Sequence, residues 1–138
     1  MQDLLSELVN ILKENNPEFE IYASYDAIPV RSKSQKLFVV VSQEHIKLSN
    51  SAYDGQKTIS SFTADFRISV LVPMITPCER ILEFFYSRIV PPMHRTGCML
   101  HEMQADAPGV DVKLQKLVYS GLFRLRGLYV PEIPEVTE

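Results

Sequence analysis

The chain has 138 residues, 46% hydrophobic and 22% charged, with fourteen basic and seventeen acidic side chains and a net charge of −3. That suffices for one cored domain without disulfides or a structural metal, is too short for two independent domains, and is unlike the composition of disordered chains. The near-neutral balance excludes wholesale electrostatic wrapping of nucleic acid or of an anionic membrane. No run of about eighteen apolar residues is present to span a bilayer, and because Met1-Gln2-Asp3 is followed by a polar-interrupted helix, no signal peptide is expected.

In chain order, Leu4, Leu5, Leu8, Val9 and Leu12 recur at three and four, and Asn15-Asn16-Pro17 supplies a stop, so residues 3–15 read as an amphipathic helix. Phe19, Ile21, Ala23 and Tyr25 alternate with polar neighbours as a first strand ending near Asp26. Residues 29–36, with Arg31, Lys33 and Lys36, form an exposed basic connection. Leu37 to Leu48 is a second strand, apolar at its start and alternating afterwards. Asn50 to Gly55 holds turn residues, so the second strand pairs with the third as a hairpin with a longish loop.

The third strand is the strongest signal in the chain. Phe62, Ala64, Phe66, Ile68, Val70 and Val72 share one face, and Ser61, Thr63, Asp65, Arg67 and Ser69 the other. Thr58 to Val72 would extend about 50 Å, against a radius of gyration of about 14 Å for a compact domain of this size. It must bend at a bulge or project, and a projecting hairpin with open edges calls for a neighbouring subunit. Thr58, Ser61, Thr63, Asp65 and Arg67 are therefore the candidate subunit interface.

Pro73 ends that strand. Thr76-Pro77-Cys78-Glu79 offers an N-cap, a proline at the first helical position and a reciprocal glutamate, and Ile81, Leu82, Phe85 and Ile89 follow at helical spacing up to the stop at Pro91-Pro92. Cys78 falls on that apolar stripe and is expected in the core. Cys98 to Ala105 is a fourth strand, Asp106 to Gly109 a turn, and Val112 to Val130 a strand-rich return. In the return, Leu117, Tyr119, Phe123, Leu125 and Tyr129 share one parity and Lys116, Ser120, Arg124 and Arg126 the other. Gly121 and Gly127 mark a bend or a close backbone approach. The expected fold is thus α+β: a mixed or antiparallel sheet of four to five strands, two helices on one face and a long β-hairpin. Residues 1–130 form a single domain, and 131–138 an acidic, proline-containing tail.

Chemistry is sparse. His45, His94 and His101 lie in no zinc spacing, and Cys98, His101 and Glu102 could gather a metal only against the alternation of a strand. Cys78 and Cys98 match no redox motif and are expected reduced. No nucleophile elbow and no glycine-rich phosphate loop occur among the five glycines. No catalytic residue, metal or cofactor is therefore expected. Basic groups at Arg31, Lys33 and Lys36, and at Lys113, Lys116, Arg124 and Arg126, are ordinarily solvated faces. Repeated around a ring they would face an acidic partner or passing DNA phosphates.

The order of helix, short strand, long hairpin, helix and final hairpin resembles the tail terminators, or tail-completion proteins, of long-tailed bacteriophages and phage-like contractile particles. The likeness rests on Asp3 to Asn15, on Phe62 to Pro73 leading into helix 77–89, and on Lys116 to Val130. It implies a non-enzymatic ring, a homohexamer, that caps the head-proximal end of a tail tube, ends its polymerisation and meets sheath or neck. Arg31, Lys33 and Lys36 would then line a rim or lumen, with DNA only as passing cargo and no membrane partner. Its place would be the bacterial cytoplasm during assembly and the particle afterwards. A head-tail joining subunit is a neighbouring class. The alternative is a small ligand-binding or enzyme domain with a site between helix 77–89 and the sheet, using Arg67, Glu79, Arg80 or His101.

Overall fold

The computed structural model is described for residues 2–23, 37–48, 52–54, 57–94 and 99–129. Helix α1 (Gln2–Asn15) is followed by strands β1 (Glu20–Tyr22), β2 (Phe38–Leu48), β3 (Ala52–Asp54) and β4 (Lys57–Pro73). A helical segment then runs as α2 (Cys78–Phe84), a π-helical stretch Phe85–Ile89 and α3 (Val90–Met93). Strands β5 (Met99–Ala105), β6 (Gly109–Asp111) and β7 (Lys116–Tyr129) complete the fold. The sheet order is β1-β2-β4-β7-β5, antiparallel except for the parallel pair β1–β2. This is the α+β arrangement of a mixed sheet and two helical segments expected from the sequence.

Strand β4 is central, and its edges are not open. It pairs with β2 from Phe62 to Leu71 and with β7 from Ser60 to Pro73, while β3 covers Lys57 to Ile59. Of the two alternatives for the long strand, a projecting hairpin with open edges is not what forms, because β7 pairs with β4 as well as with β5. The strand β6, which the sequence disguised as part of a turn, prolongs the β5 edge along β7 at Lys116 to Val118. The turn from β6 into β7 contains Gln115 at φ 53°.

Both helical segments cover one face. Leu4, Leu8, Val9 and Leu12 of α1 and Ile81, Phe85, Ile89 and Met93 of the second segment join Val39, Val41, the even-numbered apolar residues of β4, and Tyr119, Phe123 and Leu125 in one core cluster. Phe85 is fully buried and meets Tyr119 edge-on at 4.9 Å and Phe123 at 5.9 Å between centroids. Its ring lies over Gly121, where an added Cβ would stand 2.6 Å from the Phe85 ring. The close backbone approach expected at Gly121 is therefore made by Phe85. Next to them the Tyr86 and Tyr119 hydroxyls are 2.9 Å apart, and burial, followed by that hydrogen bond, pushes the Tyr119 phenol up to about 12.

Three local expectations change. Pro77 itself is the N-cap of α2 and no side chain caps the helix, so the Thr76–Glu79 box does not form. Thr76 instead donates its N–H to the Pro73 carbonyl in the corner turn. Cys78 is exposed, since it opens the helix before the apolar stripe reaches the sheet. Pro91-Pro92 does not stop the helix. The segment widens to a π turn in which the Val90 N–H donates to the Phe85 carbonyl, and Ile89 has φ −100°. That leaves room for rings that would crowd a regular helix. Pro92 has no N–H for the Arg88 carbonyl, and the buried Asn16 amide donates there at 3.3 Å while also donating to the Leu12 carbonyl at 3.0 Å. Asn16 thus caps α1 and serves the proline-interrupted helix at once.

Candidate functional site

The other face of the sheet carries the charges. Before its bulge, β2 turns its odd residues to the helices, with Val39 paired to Val70 and Val41 to Ile68. The register shifts between Gln43 and His45, and beyond it His45 pairs with Asp65 and Lys47 with Thr63. The extra residue moves the odd positions to the open face. Three rows then cross the sheet: Lys47, Thr63, Arg126 and Met99; His45, Asp65, Arg124 and Glu102; Ser42, Arg67, Leu122 and Gln104.

Within the rows, opposite charges are matched across strands. The Arg124 guanidinium donates to both oxygens of Asp65, Nε to Oδ1 at 2.9 Å and Nη2 to Oδ2 at 3.2 Å, and reaches Glu102 at 3.3 Å. Asp65 is buried to 6% exposure, and its hydrogen bond from Arg124 outweighs desolvation, holding the carboxyl below its ordinary 3.8. Arg67 donates to Glu44 and to Asp106, both at 2.6 Å. Lys47 and Arg126, in contrast, have no ion-pair partner among the described residues. A depression of about 310 Å³ lies over the first two rows and is lined also by His101.

Toward the far end the same face becomes apolar. The Ser69 and Ser120 hydroxyls are 2.8 Å apart, and beyond them Phe38, Val40 and Leu71 form a minor cluster with Tyr22, Leu114 and Val118. Lys116, read from sequence as a solvated basic residue, is buried here with its ammonium 5.9 Å from the Phe38 ring, and burial lowers its pKa. Past this end, Met74, Ile75, Val110 and Val112 are 54%, 94%, 52% and 82% exposed.

Of the candidate interface residues, the structure brings Thr63, Asp65 and Arg67 together on the open face, with Ser61 half-buried at the same parity. Thr58 is paired in backbone register with Tyr53, and its side chain lies outside the described residues. Arg31, Lys33, Lys36, Cys98 and the 131–138 tail also lie outside them. The four residues considered for a ligand site do not converge: Arg67 and His101 stand on the open face, and Glu79 and Arg80 are exposed on α2, across the sheet. The space between α2 and the sheet is filled by Ile81, Phe85 and their apolar neighbours. Among the described residues, no helix is long and apolar enough to cross a membrane, and no three metal-ligating side chains cluster.

No protein-family model matches the chain, and no curated protein matches it. Among solved structures, one chain is similar across 98% of this chain and 99% of its own, with 12% sequence identity and a TM-score of 0.49. A likeness of that degree carries no argument about function.

Proposed function

We propose that this chain is a non-enzymatic structural subunit that assembles head-to-tail into a ring of six at the head-proximal end of a phage or phage-like tail tube. There it ends tube growth and presents a surface to sheath or neck, with DNA, where the particle has a head, passing through as cargo. The observation that carries the self-assembly is the apolar end of the molecule. Met74 and Ile75 follow β4, Val110 lies in β6 and Val112 opens the β6–β7 turn, so these four, unlike the exposed Tyr86 and Met99, gather at the pole opposite the β3–β4 hairpin. Exposed large apolar residues concentrated at one place mark contact surfaces, and a contact between unlike ends closes into a ring when its rotation divides a full turn. The tail-tube role itself is supported by the resemblance in element order described above.

Light scattering coupled to size exclusion over a concentration series, with negative-stain images of the peak, tests the assembly. The expected species is a ring of about six subunits, converted to monomers by Ile75→Glu with Val112→Glu at unchanged circular dichroism. A wild-type chain that stays monomeric up to millimolar concentration overturns the ring, and rings that neither bind nor cap tail tubes overturn the tail-end role.

A further inference from the structure

We infer that the row Lys47–Thr63–Arg126 is a docking site for carboxylates of an extended acidic peptide, and that its occupant is the chain's own segment 131–138. Three observations converge. Lys47 and Arg126 flank Thr63 in register, without ion-pair partners among the described residues, on a depression of about 310 Å³. Asp65 and Glu102 in the next row do not neutralise them, because both carboxylates are engaged by Arg124. With Arg124 matched by Asp65 and Glu102, the cations of the depression left without a partner among the described residues are Lys47 and Arg126.

The sequence Pro131-Glu-Ile-Pro-Glu-Val-Thr-Glu138 has the complementary chemistry. It holds Glu132, Glu135 and Glu138 and no Lys or Arg. Both the glutamates and Pro131 and Pro134 repeat every three residues, which is the repeat of a polyproline II helix. In that conformation successive glutamates stand on one edge about 9 Å apart, at ~3.1 Å per residue. Lys47 and Arg126 are two strand spacings apart, about 10 Å. Two carboxylates three residues apart can therefore meet both cations across Thr63, whose hydroxyl supplies a further donor.

Reach is sufficient within one chain. Arg126 is three residues before Tyr129, where β7 ends, and eight extended residues after Val130 cover about 25 Å. The docking thus needs no ring, and its failure is distinguishable from failure of the assembly proposal.

The test uses the full chain labelled with ¹⁵N, comparing wild type with Glu132→Gln/Glu135→Gln/Glu138→Gln. At 50 mM NaCl, the amide signals of Lys47, Thr63 and Arg126 should differ between the two proteins, and the difference should vanish at 0.5 M NaCl. A synthetic peptide of residues 130–138 added to the triple variant should restore the wild-type positions, with at least tenfold weaker binding when its glutamates are replaced by Gln. Lys47→Glu/Arg126→Glu should abolish the displacement at unchanged circular dichroism; should that variant fail to fold, the Gln series, altered only outside the described sheet, decides alone. Identical spectra of wild type and triple variant overturn the assignment, as does a peptide that moves nothing at millimolar concentration. A short DNA duplex that displaces these amides equally in both proteins makes the row a phosphate surface and also overturns it.

Discussion

The two faces of the sheet are stabilised by different physics, although each β4 residue on one face is flanked in sequence by residues of the other. Beneath the helices, Phe66, Ile68 and Val70 meet Phe85 and Phe123 at full burial, so stabilisation there scales with apolar area and tight fit. On the open face, Asp65 and Arg67 are only two residues apart yet differ in kind. Asp65 is a buried carboxylate that depends on one guanidinium, whereas Arg67 is a half-exposed cation sharing two half-exposed or exposed carboxylates. Burial of the charge, more than the number of ion pairs around it, decides what breaking each pair costs.

The largest break in this comparison is Phe85→Ala, which should cost about 3–5 kcal/mol in urea unfolding; a cost near that of an open-face substitution would mean the π turn leaves Phe85 loosely packed. Gly121→Ala should cost about 1–3 kcal/mol by forcing a methyl into the Phe85 ring. Combining it with Phe85→Leu should make the pair cost less than the sum of the two, and strict additivity would show that the ring is not the obstacle.

On the open face, Arg124→Met should destabilise the fold at pH 7, by less than either core substitution and by more than the Arg67 substitution below, since it strands the buried Asp65 carboxylate. The sign with pH follows from the lowered Asp65 pKa: the folded carboxyl binds protons more weakly than the unfolded one, so its contribution is present above about 3.8 and is lost as pH falls through the still lower folded value. The difference between wild type and Arg124→Met should therefore shrink in acid and persist at neutral pH. A constant difference from pH 7 to pH 2 would show that Arg124 acts by packing instead. Smallest of the four, Arg67→Met should change stability by about 1 kcal/mol or less, and that small change should fade with added salt.

The elements with strict periodicity were legible in the sequence. Helix α1, strand β4 and the parity of β7 each carry a regular pattern that propensity and burial both favour, and β2 is legible as a strand though its bulge is not. What sequence did not disclose depends on partners far along the chain. Where the helix crosses Pro91-Pro92, Asn16, 72 residues before Arg88, donates to the carbonyl that Pro92 leaves unserved. Asp65 reads as a surface residue until Arg124, 59 residues later, is brought beside it. The row holding Lys47 and Arg126 required a bulge at Gln43–His45, and nothing in the local alternation marks where that extra residue falls. Cys78 shares the spacing of the apolar stripe but stands one turn before the surface that the stripe covers.

The position of β7 also sets the order in which the fold is completed during synthesis. β4 pairs with β7 at separations from 43 residues, Pro73 with Lys116, to 69 residues, Ser60 with Tyr129. A ribosome delivers the β2–β4 hairpin first, and one edge of the long central strand then waits for some forty further residues, a few seconds at about 5–20 residues per second. The charged residues of β4 between its hydrophobes stand on that waiting strand as gatekeepers against pairing with other nascent chains. Their value to the cell then precedes any use they have in the finished molecule.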